Sequence, residues 1–144
     1  MSLKSDVWTY LNGQSGVTNQ FGASTAMRIY PQAAPTSAVY PYCTFFTVSE
    51  VPEHHLLSAA RLTNAVIQFD VWADTDLVAS TAADTLRAEF DGYVAGTITP
   101  TNVRWISLES RNDDFLGPDD QSEYGTYRVS SDYSFWFVST VPTF

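Results

Sequence analysis

Few side chains here are of the kinds that break bonds or hold metals, and their spacing decides what each can do. His54 and His55 are adjacent. Neighbouring strand residues point to opposite faces, so the pair is poorly placed to ligate one metal, and an exposed hairpin is the better reading. The lone Cys43 has no partner for an internal disulfide and is a nucleophile only beside a base. Set in a strand between Tyr42 and Thr44, it reads as a small apolar group. Asp113, Asp114, Asp119 and Asp120 offer hard oxygens suited to calcium, but their spacing matches no EF-hand loop, and solvated charge is the plainer reading. Trp72, Trp105 and Trp136 are either a sugar-binding platform or, as is commoner for tryptophan in strands, core or interface anchors. There is no glycine-rich phosphate loop. The expectation is no enzyme, no cofactor and no metal.

The chain has 144 residues and a net charge of −9. That length suits a single domain, 1–144, with one core. So acidic a chain has no general affinity for polyanions, which argues against nucleic acid and anionic membranes as ligands. No apolar run reaches the roughly twenty residues that a membrane-spanning helix needs. The start lacks a basic segment followed by an apolar run, so no secretory address is expected and synthesis is placed in a cytoplasm. Nine Phe, eight Tyr and four Trp are many for this size, and their clustering in strand-like runs points to a β-rich fold, with some left for an interface.

The stretch 61–94 organises the rest. Ala65, Ile67, Phe69 and Val71 alternate with Asn64, Gln68 and Asp70, the period-two pattern of a strand with one buried face. After Trp72 and Ala73 the period changes. Val78, Ala82, Leu86, Phe90 and Val94 recur every four residues, with Ala83 on the same side, which predicts an amphipathic helix capped by Asp74 or Thr75. Its stripe must cover the strand's apolar face. Upstream, Leu3, Val7, Tyr10 and Leu11 share a face of a short N-terminal helix ending by Gly13. The stretch 13–22 reads as a loop, 27–30 as a short strand, and the proline-rich 31–41 as an extended connection. A strand over 42–50 places Tyr42, Thr44, Phe46 and Val48 on one side and Cys43 and Phe45 on the other. A long antiparallel hairpin with His54, His55, Leu56 and Leu57 at its tip joins it to the central strand. Downstream, 102–110 reads as a strand with Trp105, Ile106 and Leu108, and 111–125 as an acidic loop. In a last strand over 127–138, Tyr127, Val129, Tyr133, Phe135 and Phe137 face one way. The fold class is α+β: an antiparallel or mixed sheet of four to five strands with a long hairpin, one main helix and a short N-terminal helix on one face.

Several of these pieces, in order over 28–137, resemble the tail completion or tail terminator proteins of long-tailed bacteriophages. They are Arg28-Ile29-Tyr30-Pro31, Pro41-Tyr42 opening an aromatic strand, Val48-Ser49-Glu50-Val51-Pro52, and Gln68-Phe69-Asp70-Val71-Trp72-Ala73 before an Ala-rich helix with Leu86. Tyr133-Ser134-Phe135-Trp136-Phe137 adds weaker support. One departure is Ser58-Ala59-Ala60, where family members often carry a glycine after the position matching Leu57. The resemblance implies a structural virion protein at the head-proximal end of the tail, assembled in the host bacterial cytoplasm. It implies a hexameric ring of the chain itself that caps the tail tube, stops its polymerisation and provides the head–tail joining surface. The implied partners are the tail tube protein and a head-completion or neck protein, with genomic DNA passing through without specific binding and no membrane involved. Within it, His54, His55, Leu56 and Leu57 are expected to touch a neighbouring subunit or ring partner. Asp113, Asp114, Asp119, Asp120 and Glu123 are expected to form a loop facing the DNA channel. A monomeric β-rich ligand-binding module and another neck or tail-tube component remain as alternatives.

Overall fold

The computed structural model describes residues 3–35, 37–54, 59–98, 101–116 and 126–138. Helices α1 (Leu3–Asn12) and α2 (Ser15–Phe21) lead through a 3-10 turn (Ser24–Ala26) to β1 (Ile29–Pro31). Then come β2 (Tyr42–His54), β3 (Ala59–Ala73), α3 (Asp76–Asp91), β4 (Asn102–Leu116) and β5 (Thr126–Val138). Among the described residues the strands form one five-stranded sheet in the order β1-β2-β3-β5-β4. The β1–β2 pair is parallel and the others antiparallel, so the sheet is mixed. The protein is therefore α+β.

The alternation in β3 and β5 puts Ala65, Ile67, Phe69, Val71, Val129, Tyr133, Phe135 and Phe137 on a buried face. The stripe of α3, made by Ala79, Ala82, Ala83, Leu86 and Phe90, covers it. Phe90 lies 5.3 Å from Phe69 and 4.7 Å from Tyr133 between ring centroids, within the range of favourable tilted ring pairs. Val7, Leu11, Val17 and Phe21 of the first two helices join the same cluster. Thr75 is the N-cap of α3, its hydroxyl accepting the Val78 N–H at 3.2 Å.

Three sequence expectations need correction. The stretch 13–22 holds α2, because Val17 and Phe21, four residues apart, both bury completely and tertiary packing overrides a polar, glycine-containing composition. The main helix stops at Asp91, so Val94 lies outside it and is 70% exposed. The stretch 111–125 is not wholly a loop: β4 runs to Leu116, pairing Asp113 with Val129 and Asp114 with Arg128. Pairing along β5 extends the ladder through residues whose composition is poor for a strand.

The alternation in β2 and β4 is broken by bulges. Val48 is the extra residue between Thr47 and Ser49. Arg104 and Glu109 are extra residues in β4, so its core positions fall at Val103, Ile106 and Leu108 instead of every second residue. Trp105 is thereby turned to the other face.

Candidate assembly surfaces

The cysteine, the side chain best suited to nucleophilic chemistry, is held unreactive in the fold. Cys43 is completely buried. Burial pushes its thiol well above the usual range, and the nearby Asp70 carboxylate raises it further, so a thiolate is strongly disfavoured. Burial likewise raises Tyr133, with Asp91 adding to the effect. Among the described residues no three His, Cys, Asp or Glu side chains are grouped to hold a metal ion. No helix among them is long and apolar enough to cross a membrane.

What the fold leaves exposed is more informative. β4 forms one lateral edge of the sheet and carries Trp105, 61% exposed, directly opposite Trp136 of β5. Trp72 lies eight positions away along the β5 register, opposite Arg128, so the three tryptophans share no platform. At the other lateral edge, α1 and β1 enclose a cleft of about 520 Å³ lined by Trp8, Met27, Ile29 and Phe45, with Lys4 among its polar members. Trp8 is held there by its indole N–H, which donates to the Ile29 carbonyl at 2.9 Å. Sequence reasoning missed this cleft. The available signal was Trp8 itself, a large aromatic off the stripe of Leu3, Val7, Tyr10 and Leu11.

The sheet face away from the helices carries a column of rings near the β3–α3 junction. Tyr40 stacks on Tyr42 at 5.5 Å, Tyr42 on Trp72 at 6.2 Å, and the Arg128 guanidinium lies 5.4 Å from the Trp72 ring centre. Desolvation, and then the neighbouring Tyr40, raise the Tyr42 phenol. These rings wall a second cleft, of about 630 Å³, beneath the connection that follows β1. Its floor includes Asp70, which is buried and accepts a 2.9 Å hydrogen bond from the Gln68 amide.

The same end of the molecule is acidic. Ala73 pairs with Tyr127, and Tyr127 with Phe115, so Asp74 and Asp76 lie at the same end of the sheet as Asp113 and Asp114. Asp114 is bound by Arg128 at 2.7 Å. Asp113 and Asp114 are thus strand residues at the base of the β4–β5 hairpin, whereas Asp119, Asp120 and Glu123 lie outside the described residues. At the opposite end His54 closes β2, and His55, Leu56 and Leu57 lie outside the described residues. A further tie unseen in the sequence is Asp6. It is buried on α1, and one carboxylate oxygen accepts both the N–H, at 3.0 Å, and the hydroxyl of Thr101, anchoring the start of β4.

Large apolar side chains stand exposed at the edges of a well-packed sheet, as they do on surfaces that meet other proteins. The family model described as "Tail completion protein gp17" matches residues 5–137, and the chain belongs to that family of phage tail structural proteins. No match was found among curated protein sequences. The fold is similar to that of a chain solved in the "Virion of native gene transfer agent (GTA) particle", with a TM-score of 0.66, 12% identity and 96% of each chain covered.

Proposed function

We propose that this chain forms a ring at the head-proximal end of the tail tube, ends polymerisation of the tube and offers the surface to which the head joins. The observation that carries this reading is the pair of unlike apolar surfaces at opposite edges of one sheet, exposed Trp105 on β4 and the cleft beside β1. Edges so equipped suit a chain that meets copies of itself side by side. Membership of the tail completion family supports the reading, as does the likeness to a chain from a phage-like virion. A hexamer is the proposed stoichiometry. The hairpin tip, His54 to Leu57, is proposed to touch a neighbouring subunit, and the acidic end with Asp113, Asp114, Asp119, Asp120 and Glu123 to face the DNA channel. The cleft under Tyr40, Tyr42 and Trp72 favours a second reading, a monomeric ligand-binding module. Size-exclusion chromatography with light scattering separates the two. A discrete oligomer, or assembly on tail tubes, supports the ring, and a chain that stays monomeric even with tubes present rejects it.

A further inference from the structure

We propose that neighbouring copies join head to tail through the two lateral edges of the sheet, with Trp105 of one copy seated in the cleft between α1 and β1 of the next. This inference rests on the ring reading above and names the contact that would build the ring.

The strand order puts β4 and β1 at opposite edges, so a contact between them joins two different surfaces. Such a heterologous contact repeats in one direction and closes when the rotation between copies permits. A two-fold contact of one edge with itself would stop at a dimer.

Trp105 is 61% exposed, and tryptophan seated in a pocket is among the strongest anchors of protein interfaces. The receiving cleft, about 520 Å³ and walled by Trp8, Met27, Ile29 and Phe45, falls within the roughly 300 to 1,000 Å³ of small-ligand sites, enough for one indole. The bulges at Arg104 and Glu109 interrupt the regular run of β4, which disfavours a further strand adding to this edge. The edge is therefore fitted for side-chain contact.

Charge selects a second copy as the occupant. At −9 the chain repels its own kind at long range, so a self-contact needs a local cation against a local anion. Arg87, Arg111 and Arg128 are held in ion pairs with Asp91, Asp84 and Asp114 of their own chain. Lys4, at the cleft, has no ion pair among the described residues. Glu109, exposed on β4, has no ion pair among the described residues and accepts a hydrogen bond from the Ser107 hydroxyl at 3.4 Å. The acceptor edge thus offers the cation Lys4, and the donor edge carries the anion Glu109 as well as the exposed Arg104 beside Trp105, so the pairing that fits is Lys4 against Glu109.

Cross-linking tests the contact. An Arg104→Cys, Thr9→Cys double variant keeps Trp105 and places one thiol beside it on β4 and one at the cleft, while Cys43 stays buried. Treated with a short bismaleimide, it should give a covalent ladder running past the dimer to the full ring number, and each single variant should give none. Trp105→Ala should abolish the oligomer peak without lowering the melting temperature, since the ring is exposed in the lone chain. Lys4→Glu should also abolish it, and adding Glu109→Lys should restore it. Dimers from Arg104→Cys alone would mean that β4 meets β4, and would overturn the proposal. An intact oligomer with no ladder would overturn it while leaving the ring reading standing, and a monomer under all conditions would remove both.

Discussion

At the residue scale, stability concentrates in a cluster of rings, and reactivity is suppressed by the same burial. Leu86 and Phe90 close the face formed by Phe69, Tyr133 and Phe135. Leu86→Ala leaves a cavity that neighbouring rings fill only in part, so it should cost about 2 to 5 kcal/mol, read by chemical denaturation. Burial also sets a pH dependence. Cys43, Tyr133, Tyr10 and Tyr42 all have pKa values raised by burial in the fold, against ordinary values of 9.0 for the thiol and 10.0 for the phenols. Below those ordinary values both folded and unfolded chains hold the protons, and the stability associated with the neutral groups is fully present. As pH rises through 9 to 10 the unfolded chain releases protons that the folded chain keeps, so stability falls. The slope approaches about 1.4 kcal/mol per pH unit for a fully buried group such as Cys43, and is much smaller for the partly exposed Tyr10 and Tyr42. Melting temperature should therefore be level from pH 7 to 8.5 and drop beyond, with a shallower drop in Tyr133→Phe. An equal drop in that variant would show that Tyr133 is not among the groups responsible.

At the element scale, what the sequence disclosed was whatever kept its period. β3 and β5 alternate without interruption and α3 repeats every four residues, so their faces, the cap at Thr75 and the meeting of Phe69 with Phe90 were all legible. Thr75→Ala should cost about 1 kcal/mol, since the Val78 N–H loses its acceptor. β4 was legible only in part, because the bulges at Arg104 and Glu109 shift its inward positions and hide the pattern. Its acidic end looked like a loop because Asp113 and Asp114 are poor strand formers. Pairing with β5 and the contact of Phe115 with Tyr127, 4.7 Å apart, hold them in the ladder. The Arg128–Asp114 pair adds little there. Both side chains are partly exposed, so Asp114→Asn should change stability by less than about 1 kcal/mol in a urea titration. α2 was hidden because two apolar residues in seven give no measurable period. Of the candidate surfaces, Trp105 was legible as a strand residue, but the cleft beside β1 was not, since α1, the 3-10 turn and β1 assemble it from separate short pieces.

At the scale of the whole molecule the surfaces are sorted. Lateral edges carry the exposed tryptophan and the apolar cleft, and one end of the sheet gathers Asp74, Asp76, Asp113 and Asp114. In the proposed ring that acidic end has a use. A cationic lining would bind DNA at every phosphate it neutralised and hold it in a salt-dependent way, whereas carboxylates let the genome slide. Changing Asp113, Asp114, Asp119 and Asp120 to Asn should leave the fold and the oligomer intact, tighten DNA binding at low salt and slow genome ejection. Ejection at the parental rate would put these residues away from the channel. The central claim, that the chain caps the tail tube, is tested most directly by electron microscopy of tails assembled with and without it. With the chain present, tubes should stop at a uniform length, carry a ring of its copies at one end and accept heads. In its absence they should lack that ring, vary in length and remain headless. Tubes of uniform length that join heads without the chain would contradict the claim.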